Sequence, residues 1–332
     1  MNKQKTSFRW FVVLLIVTLL SAFLGLVFGS ARLTLQQLWA GLVGADQSAA
    51  HQIVWVVRLP HVAACFLAGA GLAVSGLLLQ TAVHNPLAGP NIIGVNAGAG
   101  FAVIMAMCLF PMSYRWIPVF AFAGAFGCTL LIVFTAKRGG GSKVTIVLAG
   151  VVISTLLNAG SAMMKLLYPD LAVVYSYFSV GGVSGVTFGE LGIPALIIAA
   201  SFLGAWILSA RMNLLCLGDA MAQSVGVRAG KLRMVCLMLA SASAAAVVSF
   251  AGLLGFIGLM VPHIARKLLD ESDIRKLLPA SALLGACLVI LSDLAGRVFF
   301  APSEVPAGII TAFIGAPFFF ILLLQRRASP WD

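Results

Sequence analysis

Hydrophobic residues in this chain come in long, nearly unbroken runs, with polar residues confined to the gaps between them. Ten runs can be marked, at about residues 10–30, 62–82, 91–111, 117–136, 144–167, 190–210, 233–252, 254–268, 279–299 and 307–324. Most reach the roughly 20 apolar residues that a helix needs to cross a bilayer. The ten-residue apolar/polar alternation of a membrane β-barrel is missing. The pattern therefore predicts an all-α polytopic membrane protein of about ten spans, with residues 1–332 forming one transmembrane domain. The weakest division lies at FAGLLGFIGLM (residues 250–260), where only glycines interrupt the apolar run.

Several features refine this outline. Lys3, Lys5 and Arg9 precede the first run in the charge order of a signal peptide, but the run is longer than a signal core, so it is read as a retained helix. Small residues recur at helical spacing in GAGLAVSG (69–76) and SASAAAVVSFAG (241–252), which allows close backbone approach between helices in lipid. HNPLAGP (84–90) reads as a turn that ends one helix and starts the next. The connection at 168–190 is too apolar and aromatic for an ordinary loop and is expected to dip back toward the membrane as a short helix. The blocks from the second to fifth and seventh to tenth helices begin on opposite sides, an arrangement compatible with inverted repeats.

Composition agrees with the pattern: 61% of residues are hydrophobic and 9% charged, whereas a soluble domain is about one quarter charged. The net charge of +11 raises nucleic acid as a partner, and the positions of the charges decide against it. With the N-terminus inside, sixteen of the 21 basic residues fall in cytoplasmic segments: Lys3, Lys5, Arg9, Lys137, Arg138, Lys143, Arg211, Arg228, Lys231, Arg233, Arg266, Lys267, Arg275, Lys276, Arg326 and Arg327. Only Arg32, Arg58, Arg115, Lys165 and Arg297 fall outside. This is the asymmetry of the positive-inside rule, with both termini cytoplasmic.

Catalytic chemistry has little to build on. HExxH is absent, as are paired carboxylates within helices and any Ser/His/Asp set at a common depth, so no catalytic residues are assigned. Cys65, Cys108, Cys128, Cys216, Cys236 and Cys287 follow no metal spacing and are read as small apolar packing residues. His51, His61, His84 and His263 are placed at helix ends or in loops, and no metal site is expected. An ion-coupled carrier usually needs an acid near the midplane. The only carboxylate within a predicted span is Asp293, in the outer half, four residues before Arg297; a local ion pair is the leading reading. GGGSK (139–143) and AGKLR (229–233) both lack phosphate-loop spacing. The chain is therefore expected to bind no cofactor, and any ATPase to be a separate polypeptide.

One polar island then stands out, LGDAMAQSVGVRAGKLR (217–233), within a candidate cytoplasmic segment of about 211–232. Leu217, Met221 and Val225 recur at four-residue steps, Asp219 sits in the first turn, and Gly226 can close the C-terminus. This predicts a short amphipathic helix followed by basic residues. Residue chemistry alone leaves lipid binding and partner docking equally open.

Together with RLPH (58–61), GAGLAVSGLLLQTAVHNPLAGPNIIGVNAGAG (69–100), GFIGLMVPHIAR (255–266), LLPASALLGACLVILSDLAGR (277–297) and EVPAGIITAFIGAPFF (304–319), the island resembles the iron-chelate and cobalamin (FecCD-type) permeases, membrane subunits of type II ABC importers. The resemblance spans almost the whole chain. It implies a non-enzymatic permease of about ten helices in a bacterial cytoplasmic membrane, paired as a likeness-implied homodimer around the translocation path. Two ABC ATPase subunits would use ATP and magnesium below it, and an extracytoplasmic binding protein would deliver cargo. The implied cargo is a ferric siderophore, with cobalamin or haem as alternatives on the same machine; an ion-coupled secondary carrier is the reading from another class.

The resemblance also implies site residues. Leu217, Gly218, Asp219, Ala220, Met221, Val225, Gly226 and Arg228 match the ATPase-coupling segment. Arg58 and Arg297 match arginines that grip acidic residues of the binding protein; His61 stands where the family pattern has a second arginine, so a docking role there would depend on pH. Ser142 and Thr145 neighbour the implied inner gate, and Tyr175, Tyr177 and Phe178 flank the implied path. His263 matches a signature near the inner surface and is read as structural or as an ATPase contact.

Overall fold

The computed structural model describes residues 2–29, 34–44, 48–110, 114–139 and 142–325. Arg32, Arg326 and Arg327, which enter the charge asymmetry above, lie outside the described residues. Among the described residues there is no strand, and fourteen α-helices follow one another along the chain. They are α1 (Asn2–Val27), α2 (Leu35–Val43), α3 (Ala49–Gln52), α4 (Leu59–Val83), α5 (Val95–Leu109), α6 (Ile117–Arg138) and α7 (Lys143–Leu167). After these come α8 (Pro169–Val180), α9 (Phe188–Cys216), α10 (Asp219–Ser224), α11 (Ala229–Ala251), α12 (Ile257–Leu269), α13 (Ile274–Phe299) and α14 (Ala307–Gln325).

All ten predicted spans appear as helices, in α1, α4 to α7, α9 and α11 to α14. Among the described residues, seven helical segments are long and apolar enough to cross a membrane; α5, α12 and α14 fall short of that test. The break predicted between α11 and α12 is present, as is the short helix within 168–190. Residues 35–43 and 49–61, which fall between the first two predicted runs, are helical where the sequence reading marked no span. There α2 starts with a capping box in which Thr34 and Gln37 satisfy each other's backbone amides. Then α3 runs through a π-helical stretch, Ile53–Arg58, into α4, giving one continuous rod, Ala49–Val83. Pro60 thus lies inside the rod. The preceding π stretch loosens the register where proline removes an amide donor.

The rod containing α4 is the axis of the fold. Its most apolar stretch is 83% buried, against 17% for α7 and 22% for α1. It packs most extensively on α13 and α11. The predicted small-residue stripes are what permit this. A side chain on Gly69 would collide with the backbone of Gly285 on α13, and one on Gly76 with the backbone of Gly258 on α12. At such distances hydroxyls reach main-chain carbonyls across helices. Ser75 Oγ donates to Ala240 O (2.7 Å) and Ser243 Oγ donates to Gly71 O (2.9 Å), fastening α4 to α11 twice.

The HNPLAGP turn is the other predicted feature. His84 takes a left-handed conformation (φ 57°), and Asn85 Oδ1 accepts from Leu87 N at 2.9 Å, so the turn satisfies its own amides. Ala88 and Ile93 are fully buried. Ile92 O lies where a side chain on Gly150, seven residues into α7, would sit. The turn therefore re-enters the bundle, and α5 is short because it begins inside.

The close α4–α12 contact leads to a stability expectation. Gly76→Ala should cost on the order of 3 kcal/mol, the upper end for overpacking, because the added methyl meets backbone and not a side chain that can move. Gly192→Ala on α9, with no atom within 4 Å of the new methyl, should be neutral. Thermal unfolding of the two detergent-solubilised variants beside the parent checks this; equal midpoints would show that the contact is not tight.

Candidate functional site

Polar side chains gather at the two ends of the bundle. At one end lie the C-termini of α1 and α13 and the start of α4. His61 Nε2 is 2.8 Å from Asp293 Oδ1, and Arg297 Nε donates to Asp293 Oδ2 at 2.8 Å, so the ion pair read from the i, i+4 spacing is present. Arg58 donates through Nη1 to the carbonyls of Leu26 and Val27, at 2.8 Å for the second, completing orphan acceptors at the end of α1. The structure therefore brings Arg58, His61 and Arg297 together, as the sequence led us to expect, but turns them inward: they are 3%, 6% and 7% exposed. These contacts consume the cationic groups that an exposed patch would offer. His61 is also not at a helix end, and His263 lies within α12, both departures from the sequence reading.

The opposite end holds the termini of α4, α7, α9, α11, α12 and α13. Asn213 at the end of α9 donates to Asp273 Oδ1 (2.7 Å) and accepts from Ile274 N (2.9 Å), fixing the start of α13. Arg266 Nη1 donates to Gln80 Oε1 at 2.6 Å, joining α12 to α4. Beside this contact opens a cavity of about 770 Å³ whose walls include Asn85, Lys267, Asp270 and Glu271.

At this end α10 projects as the predicted short helix. Gly218 (φ 110°) and Gly226 (φ 81°) supply the left-handed backbone on either side of it. The Val227 amide returns to Ala222 O at 2.9 Å, closing the C-terminus where Gly226 was expected to. Ala222 is buried, while Leu217, Met221 and Val225 are 67%, 56% and 61% exposed. The helix is shorter than the four-residue steps implied, because Gly218 breaks it after Leu217 and Val225 lies just past its end. The three apolar side chains therefore face outward from the tethered α10 and its two flanking turns and not from one helical stripe. Ala220 and Arg228 are exposed beside it.

The tether is Asp219, whose partners the sequence reading missed. Arg233 Nη2 donates to both Asp219 oxygens (2.7 and 2.6 Å), and Arg233 Nε donates to Ala82 O (2.9 Å) at the end of α4. Lys143 Nζ at the start of α7 lies 3.6 Å from the same carboxylate. Arg233 is therefore a buried bracket and not one of a row of solvated basic residues. Its hydrogen bond is the main reason the Asp219 carboxyl is held below its usual range, with Lys143 adding to it. Ser142, next to Lys143, caps α7 by accepting from Thr145 N at 3.1 Å, and the two hydroxyls lie 2.7 Å apart.

Between the ends, backbone is unwound at 252–256, where Gly252 (φ 65°) and Phe256 (φ 64°) break the helix. In lipid such backbone needs partners. It has them: Leu253 N donates to Phe178 O (3.1 Å), Gly182 N to Ala251 O (2.8 Å) and Gly308 N to Gly181 O (3.1 Å). An open apolar cavity of about 580 Å³ lies along this seam, lined by Val180, Leu253, Phe256, Ile309 and Phe313. Of the aromatic residues expected to flank a path, Phe178 is half-buried at the seam and Tyr177 is exposed. Tyr175 is buried, with its ring 5.2 Å from Lys165 Nζ.

A sequence model of the FecCD transport family matches residues 14–325. The Fe(3+)-citrate import system permease protein YfmE of Bacillus subtilis (strain 168) is 34% identical over 97% of this chain and 96% of its own length. The ferric enterobactin transport system permease protein FepD of Escherichia coli (strain K12) is 35% identical over 95% of this chain and 94% of its own. A solved structure described as an ABC transporter of metal-chelate type, in an inward-facing conformation, superposes with a TM-score of 0.84 at 27% identity, covering 95% of this chain and 98% of that one.

The Asp219 tether has a pH consequence. Because the folded carboxyl titrates below its unfolded value of about 3.9, its contribution is fully present above that value and is lost as pH falls through the lower folded one. Asp219→Asn should therefore raise deuterium uptake across residues 219–226 at neutral pH, whereas the parent should loosen there only on acidification below about pH 4. Identical uptake in parent and variant at neutral pH would remove the tether.

Proposed function

The chain belongs to the FecCD transport family, and from that premise we propose that it is the membrane-spanning permease subunit of an ABC importer for a ferric chelate, most simply a siderophore complex. Its part is to form the passage and convert work done at one end into opening and closing of that passage. ATP hydrolysis resides in a separate subunit. Two such ATPases, a second copy of the permease and an extracytoplasmic binding protein complete the machine.

The observation that carries this reading is the exposed triad of Met221 on α10 with Leu217 and Val225 on the turns that flank it. Three large apolar side chains held outward at a charged end of a membrane bundle are suited to a protein groove, where their burial contributes roughly 1.5–3 kcal/mol each. We assign Leu217–Arg228 as the ATPase-coupling surface, and the end that carries it as cytoplasmic. Asp219 links that surface through Arg233 to α4 and through Lys143 to α7, next to Ser142 and Thr145. A displacement of α10 is thereby delivered both to the fold's axis and to the helix that bears the inner gate.

Two observations support α7 and the seam as the path. Thr155 and Asn158 lie exposed in the middle of α7, positions that fit a water-filled passage or a second copy better than lipid. The unwound 252–256 backbone and its apolar cavity resemble the interrupted helices around which transporters build their passages. At the outer end, docking of acidic residues of the binding protein on Arg58, His61 and Arg297 would proceed by partner exchange. The incoming carboxylates would replace the α1 carbonyls and Asp293. Asp293, contacted by His61 on one oxygen and by Arg297 on the other, is read as part of this cluster and not as a coupling acid.

Reconstitution of the permease with its ATPase and binding protein in liposomes tests the reading. Uptake of the radioactive ferric chelate should require ATP and the ATPase, and uptake driven by an ion gradient with the permease alone would contradict it. Within that system, Met221→Asp should leave the protein folded and abolish ligand-stimulated ATP hydrolysis. Unchanged stimulation would place the coupling surface elsewhere.

A further inference from the structure

We propose that the outer end of the bundle contains a binding site for a borderline divalent transition metal of the zinc type, formed by His61, Cys65 and Asp293. His61 and Cys65 lie four residues apart on α4, so both side chains leave the same face. That face meets α13 at Asp293. The His61 nitrogen, Cys65 Sγ and an Asp293 oxygen all lie within 4.8 Å of one another, and all three residues are buried. A tetrahedral zinc bound at about 2.0–2.3 Å sets its donors roughly 3.5 Å apart. The 2.8 Å contact between His61 Nε2 and Asp293 Oδ1 therefore opens slightly to admit the ion, a change on the scale of side-chain adjustment.

The donor set selects the class of metal. One imidazole, one thiolate and one carboxylate suit zinc, cobalt or ferrous iron, and one carboxylate oxygen is far too few for calcium or magnesium. Positive charge nearby argues against a weakly held cation, and the structure shows where that charge is directed. Arg297 Nε occupies Asp293 Oδ2, the outer-shell support that metal-binding carboxylates usually have, so Oδ1, bonded to His61 Nε2 in this structure, is the oxygen that turns to the ion. Arg58 is turned toward the Leu26 and Val27 carbonyls. On binding, Cys65 exchanges its S–H proton for a metal–sulfur bond and the proton leaves to solvent. Thiolate and carboxylate together then balance the two charges of the ion. The fourth position is left to water or an exogenous donor. The loaded site bridges α4 and α13 at the end where Arg58 and Arg297 lie.

The site can be tested on the permease alone, so its outcome is separate from that of the import reading. Full-length protein in nanodiscs of neutral phospholipid, with Cys108, Cys128, Cys216, Cys236 and Cys287 replaced by alanine and residual metal stripped by chelator, is titrated with cobalt(II). A near-ultraviolet thiolate-to-cobalt band should appear with one ion per chain and disappear when zinc is added. Cys65→Ala should abolish the band, and His61→Gln should weaken apparent affinity at least tenfold. X-ray absorption of the zinc-loaded parent needs no further variant and should show one sulfur with nitrogen and oxygen donors. Absence of the band in monodisperse protein, a band that survives Cys65→Ala, unchanged affinity in His61→Gln, or a zinc shell of oxygen alone would each overturn the proposal.

Discussion

The close backbone approach of α4 to α11, α12 and α13 is the constraint on which the rest of the molecule depends. Lipid tails are as apolar as leucine, so burial from water cannot press transmembrane helices together once they are inserted. Contact must come from dispersion and from hydrogen bonds across helices, and both need small residues at the interface. Gly69 and Gly76 supply that at two levels of α4, and Ser75 and Ser243 use the resulting proximity to reach carbonyls on the facing helix. At 1.5 Å per residue the 25 residues of α4 span about 37 Å. One tightly held helix therefore delivers His61 to the cluster at one end of the bundle and Gln80 and the Ala82 carbonyl to the cluster at the other.

The two ends use charge differently. At the end opposite α10, Arg58, His61, Asp293 and Arg297 are buried and matched to each other or to helix-end carbonyls, an arrangement in which removing a partner is costly because a charge is left stranded. At the end that carries α10, Arg233 alone among the described charged residues is deeply buried, and it anchors a carboxylate that is itself partly exposed. Work applied to α10 can thus reach α4 and α7 through Asp219 without breaking a fully buried pair. In the proposed machine, the exposed side chains of Leu217, Met221 and Val225 on α10 and its flanking turns are the part left to a partner.

Much of this was legible in the residues. Ten spans follow from run length, the α11/α12 break from glycines in an apolar run, and the apolar side chains on and beside α10 from four-residue steps. The Thr34 and Gln37 capping box was equally readable, yet α2 went unassigned because nine mixed residues gave no apolar run. The π stretch Ile53–Arg58 has no sequence signature, so the run of about 62–82 did not disclose that the helix continues back to Ala49. Partnerships across distance were hidden: Arg233 finds Asp219 fourteen residues away only because the Gly218 and Gly226 turns fold α10 back, and His61 meets Asp293 across 232 positions. That burial explains why residues expected on a docking surface lie inside.

The central claim is that energy enters through the outward face of α10. Placing a photo-reactive amino acid at Met221 in the assembled importer tests it most directly, with Leu203, exposed on the flank of α9, as the comparison. On illumination the Met221 position should capture the ATPase subunit and the Leu203 position should capture lipid alone. Capture of lipid alone at both positions would contradict the account.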